Sequence, residues 1–209
     1  MEQEEFITIK ENCKAEITVK KSKFIAEAYY VQSVKEAESI IKQIQKREHS
    51  ARHHCYAYRI LEDNLIQKMS DDGEPSGTAG APMLAILQGR NLINVLIVVT
   101  RYFGGILLGT GGLVRAYSDS AISAINNAQT KKMQNVAIIS FETDYSEIEK
   151  IKYYLNQING KTVSFEYKDN VNATIIIPKN HIELFKNHYQ KIPFKIQNLK
   201  FLQEKIVDI

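Results

Sequence analysis

Residues 93–117 read INVLIVVTRYFGGILLGTGGLVRAY, and the reading of this stretch decides the fold. The apolar run at its start is short, β-branched and bounded by Gly89 on one side and Gly104–Gly105 on the other. That is the pattern of a central strand covered on both faces rather than of a helix. After Gly112 the residues Leu113, Ala116, Tyr117, Ala121, Ala124 and Ile125 recur at steps of three and four, the stripe of an amphipathic helix. The order is therefore strand, glycine loop, helix. Nine of the ten glycines of the chain fall between Ser70 and Tyr117. Glycine is costly to order, so such clustering points to backbone that turns with positive φ or closely approaches another group. A loop of this kind ahead of a helix can receive anions, because the first helical N–H groups lack partners and carry the positive end of the helix dipole.

Two phosphate-binding fingerprints can be tested on it. Gly104 to Gly109 has the glycine spacing of a Walker A loop, but Thr110 stands where the phosphate-pairing Lys belongs. A dinucleotide fingerprint starting at Gly109 meets Val114 in place of its third Gly, with no βαβ unit and acidic residue to follow. Neither is complete, and the sequence calls for no cofactor.

Working outward, the segment SDDGEPSGTAG at 70–80 holds the dense acidic cluster Asp71, Asp72 and Glu74. Three carboxylates can hold Mg²⁺ with water, or pair with Arg101 and Arg115 if the loops meet. Asp-Gly and Glu-Pro are also ordinary turn formers, and that structural role is favoured for Asp72, Gly73 and Pro75. His53, His54 and Cys55 do not make a metal site, since neighbours on a strand point to opposite faces. Alternation puts His54, Tyr56 and Tyr58 on one face, either a stacking surface for bases or half-buried packing. Ser70 and Ser76 lack a nucleophile elbow.

Of 27 basic residues only six are Arg, namely Arg47, Arg52, Arg59, Arg90, Arg101 and Arg115, and none lies beyond residue 115. Arg offers a planar fork that binds phosphate bidentately, which makes the N-terminal domain the candidate for recognition. Arg115 and Asp119 are also spaced to pair along a helix.

Periodicity gives two units. In the first, strands are expected at 7–9, 16–19 and 24–31, a helix opened by the capping box Ser33-x-x-Glu36, a hairpin at 54–61 and 65–70, a loop at 71–80 and a short helix at 82–88. The polar stretch 126–135 follows. In the second, a strand at 136–143 leads to a helix capped by Asp144 and ended by Gly160, a hairpin at 162–167 and 172–177, a helix capped by Asn180 and a strand at 194–207. The order βαββαβ is the ferredoxin-like pattern.

The acidic start MEQEEF is no signal peptide, and the apolar run 95–99 is far short of the ~20 residues of a membrane span. Two cysteines without secretory context read as reduced thiols, which places the protein in the cytoplasm and away from membranes. A net charge of +3 does not by itself demand a nucleic acid.

The segments ARHHCYAYRI (51–60), SDDGEPSGTAGAPML (70–84) and NVLIVVTRYFGGILLGTGGLVRAY (94–117) closely resemble the signature of the YigZ/IMPACT family. The resemblance implies an α+β chain: a ribosomal-S5 domain-2-like domain, residues 1–132, followed by a ferredoxin-like domain, residues 136–209, similar to parts of elongation factors. Both point toward translation. Two functions follow as expectations. One is a translation-associated regulatory protein, not an enzyme, that contacts phosphates of RNA or of the ribosome, or a translation-factor or regulator protein, through Arg52, His54, Arg101, Gly104, Gly105, Gly109, Thr110, Gly111, Gly112 and Arg115. The alternative is an enzyme on a phosphorylated small molecule bound at the same loop.

Overall fold

The computed structural model describes residues 5–208; the signal-peptide reading of residues 1–4 lies outside them. The chain divides into two compact units, Phe6–Lys131 and a second from Lys132 onward.

The first unit is built on five antiparallel strands: β2 (Cys13–Val19), β3 (Ser22–Tyr30), β4 (His53–Leu61), β5 (Leu65–Ser70) and β6 (Val95–Tyr102), in the order β2-β3-β6-β4-β5. A short strand β1 (Glu5–Ile9) precedes them and is bridged to Leu92 at Ile7. The apolar run of β6 is central and buried from Val95 to Arg101. Its side chains alternate between two cores. Leu96 and Val98 meet Ala37, Ile41 and Ile44 of helix α1 (Val34–Arg47). Val95, Ile97 and Val99 face helices α2 (Gly80–Gly89) and α3 (Thr110–Asn126). On that second face β3 and β4 present Ala26, Ala28, Cys55 and Ala57, small side chains that let the helices pack close to the sheet.

The expected capping box is half formed. Ser33 Oγ accepts from Glu36 N at 3.2 Å, but the Glu36 carboxylate reaches back to Gln32 N, and Glu62 of the β4–β5 turn caps Val34 N at 2.8 Å.

The second unit contains β7 (Thr130–Thr143), α4 (Ile148–Gln157), β8 (Lys161–Tyr167), β9 (Val171–Pro178), α5 (Ile182–Asn187) and β10 (Gln197–Asp208). The strands lie in the antiparallel order β10-β7-β9-β8, which is the ferredoxin-like topology. Ala137, Ile139 and Phe141 alternate inward with Ala173, Ile175 and Ile177 against Ile151, Leu155, Ile182 and Phe185. The α+β reading therefore holds.

Two local expectations change. Only 127–129 of the polar stretch connect; from Thr130 onward it is strand, and β10 pairs with β7 as far back as Met133 and recruits polar residues into the ladder. Asp144 makes no side-chain cap; its carboxylate turns to Lys195 Nζ at 3.0 Å, and the chain enters α4 through a 3₁₀ turn, Tyr145–Glu147.

Candidate functional site at the glycine loop

Strand register gathers the signature segments at one end of the first unit. On β6, Arg101 lies opposite Phe24 of β3 and His53 of β4. The turn at Lys20–Lys21, the exposed Arg52, the loop after β5 and the loop after β6 consequently meet there, beside the start of α3.

The acidic loop is a clamp whose carboxylates each face a different partner. Asp71 accepts from Gly77 N at 2.8 Å, Ala79 N at 2.9 Å and Gly80 N at 2.8 Å, capping α2 from nine residues upstream of its first residue. Burial would raise its pKa, but these backbone donors outweigh burial and hold it below the usual carboxylate value. Asp72 accepts from His54 N at 2.6 Å. Glu74 is buried, with Oε1 2.6 Å from Arg101 Nη1 and 2.7 Å from the Tyr117 hydroxyl that donates to it. In this arrangement the three carboxylates are engaged by backbone amides of the loop and of β4, by Arg101 and by Tyr117. Among the described residues no group of three or more His, Cys, Asp or Glu is placed to hold a metal ion.

Arg101 and His54 are corrected as phosphate contacts by their burial. Arg101 is 5% exposed and lies between the rings of Phe24 and Phe103, at 5.4 and 5.7 Å from their centroids. His54 is 6% exposed, with Nε2 3.2 Å from the Glu48 carbonyl oxygen, and its neighbours Tyr56 and Tyr58 stack on each other on the α1 side of the sheet. Cys55 Sγ sits 3.4 Å from Tyr117 Oη; burial, reinforced by the nearby carboxylates, pushes its thiol up to about 12, and Tyr117 is pushed up as well, chiefly by burial. A thiol so protonated is no nucleophile.

The exposed part of the site is the segment between β6 and α3. Gly104 N donates to Ser22 Oγ, and a Cβ at Gly104 would stand 2.0 Å from the backbone carbon of Lys21, so only glycine permits this approach of loop to turn. Gly109 precedes α3 with φ +73° and no side-chain cap. The first rung of the helix is Leu113 N to Gly109 O, leaving the amides of Thr110, Gly111 and Gly112 ahead of the ladder. Gly105, Gly109, Thr110, Gly111 and Arg115 are exposed and Gly112 half-buried. Beside them a pocket of about 270 Å³ is lined by Val19, Lys20, Leu108, Gly112, Arg115, Ala116 and Asp119.

Lys20 and Lys21 escape a reading by motif. Both hold left-handed φ, +45° and +65°, in a two-residue hairpin turn that ordinarily takes Asn-Gly. The available signal was a Lys-Lys pair between two strand patterns.

The chain matches the Impact N-terminal domain over residues 20–125 and a domain of unknown function, DUF1949, over residues 141–188. It is 39% identical to the IMPACT family member YvyE of Bacillus subtilis, covering 86% of this chain and 83% of that protein. It is 35% identical to the IMPACT family member YigZ of Escherichia coli, covering 80% and 83%. A solved structure described as that of a hypothetical protein is 30% identical and covers 97% of this chain and all of its own, with a TM-score of 0.64.

Proposed function

The chain belongs to the IMPACT family, and from that premise we propose that it is a translation-associated regulatory protein whose N-terminal unit binds phosphates of RNA on the ribosome. The family resemblance supports the link to translation. The observation that carries the contact surface is the open start of α3, where the uncapped amides of Thr110–Gly112 stand beside Arg115 and the strained Lys20–Lys21 turn. Free amides, the positive end of a helix dipole and flanking cations together suit an anion. Left-handed φ at two lysines costs roughly 1–2 kcal/mol each, a cost compatible with holding both charges at this rim.

Arg52, exposed at the same end, extends the basic border. Arg101 and His54 support it from beneath.

The pocket favours the second reading, an enzyme on a phosphorylated small molecule, but at about 270 Å³ it falls below the usual range for ligand pockets, roughly 300–1,000 Å³. Binding to a larger surface is the better account. Cosedimentation of the full chain with purified ribosomes at moderate salt tests it: the wild type is expected in the ribosomal pellet and Lys20→Gln/Arg115→Gln depleted from it. Equal sedimentation of the two would remove the site, and absence of the wild type would remove the function.

A further inference from the structure

The carboxylate of Asp119 is at odds with the charge of its surroundings. It lines the same pocket as Lys20 and Arg115, beside the start of α3 where phosphate is placed above. Its spacing of four residues from Arg115 suits an ion pair along the helix. Yet among the described residues Asp119 forms no ion pair and no hydrogen bond, and it is exposed. A free carboxylate repels phosphate and accepts only from donors. A ligand that meets both cations and Asp119 must therefore carry a donor close to its phosphate.

We infer that Asp119 accepts a hydrogen bond from the ribose 2′-hydroxyl next to the bound phosphate, which makes the site selective for RNA over DNA. The inference rests on the phosphate-binding function proposed above and names what distinguishes its substrate. Gly112, Arg115, Ala116 and Asp119 are spaced i, i+3, i+4 and i+7, so they form one face of α3 along the pocket. On that face Arg115 and Asp119 are one turn, about 6 Å, apart. The donors of a base lie beyond the sugar, and a pocket of about 270 Å³ is small for phosphate, sugar and base together. The group attached directly to phosphate is the sugar, and within an RNA strand its free donor is the 2′-hydroxyl. DNA has none there. The remaining lining suits a sugar as well: Gly112 and Ala116 project little into the pocket, and Val19 and Leu108 offer apolar contact to ribose C–H groups.

The test measures binding of the full chain to a short RNA hairpin, to the same hairpin with fluorine in place of every 2′-hydroxyl, and to its DNA counterpart. Fluorine keeps the sugar pucker of RNA and all the phosphates but removes the donor. The wild type should bind the hydroxyl hairpin about tenfold more tightly than the fluoro one, as expected for a hydrogen bond to a charged acceptor. Asp119→Ala, at an exposed helix position that Ala suits, should keep the thermal transition and bind the two RNA hairpins alike. The same variant should bind the fluoro and DNA hairpins more tightly than the wild type does, because it no longer repels their phosphates. A wild type that does not separate the two RNA hairpins, or an Asp119→Ala variant that keeps the wild-type preference, overturns the ribose contact while leaving phosphate binding in place. Failure of the wild type to bind any of the three removes the phosphate surface and the ribose contact together.

Discussion

Nη1 of Arg101 stands 2.6 Å from Oε1 of Glu74, in an ion pair whose side chains are only 6% and 3% exposed. The same carboxylate oxygen accepts from Tyr117 of α3, and the guanidinium lies against Phe103 of the glycine loop. One buried pair thus ties the acidic loop, the central strand, the glycine loop and α3. The consequence is that Glu74 and Arg101, two residues with the look of chemistry, work as framework, and the phosphate surface proposed above does not use them.

Removing one member of such a pair leaves an uncompensated buried charge. Glu74→Ala or Arg101→Ala should destabilise the N-terminal unit by about 3–5 kcal/mol in chemical denaturation. A loss below about 1 kcal/mol would show that the pair is not the tie described.

Gly104 and Gly111 separate packing from exposure. A Cβ at Gly104 would collide with the backbone of Lys21, whereas one at Gly111 meets nothing within 4 Å. Gly104→Ala should therefore prevent normal folding, while Gly111→Ala, inside α3, should raise stability by about 0.5–1 kcal/mol. Thermal unfolding of both variants checks this, and similar behaviour of the two would contradict the placement of the loop against the turn.

Much of this was legible beforehand. Periodicity located the central strand because β6 is buried on both faces and carries no polar interruption between Val95 and Val99. The division of labour within the site was not legible. Arg101 and Arg115 are the same residue type on either side of the glycines, and only the pairing of β3, β6 and β4 puts the first beneath Phe103 and leaves the second in solvent. Asp71 caps a helix whose first residue is nine positions away, a contact beyond any local capping pattern. The Lys20–Lys21 turn was missed for a similar reason, since its conformation is set by the strands it joins and by Gly104 rather than by its own preferences.

Asp71 sets an acid limit on the N-terminal unit. Its folded pKa is depressed, so its contribution is present above the unfolded carboxylate value of about 3.9 and is lost as pH falls through the lower folded value. Asp71→Asn should cost about 1–2 kcal/mol at neutral pH, the difference between charged and neutral acceptors. The gap from wild type should close as pH drops below about 4. A pH-independent gap in denaturation midpoints would argue against the cap.

The buried thiol gives a chemical test of the same core. Cys55 is fully buried with its pKa pushed up to about 12, while Cys13 is only half-buried. At pH 8 a disulfide reagent should modify Cys55 only on the timescale of unfolding, and more slowly than Cys13. Rapid labelling of Cys55, read by mass spectrometry, would mean that this end of the sheet opens readily.

The central claim is that exposed cations beside the start of α3 bind phosphate. It is tested most directly by the slope of log affinity against log salt for purified ribosomes, measured for the wild type and for Lys20→Gln/Arg115→Gln. If both side chains neutralise phosphates, the variant should bind more weakly and its slope should be shallower by about one to two units. A folded variant with the wild-type slope would contradict the account.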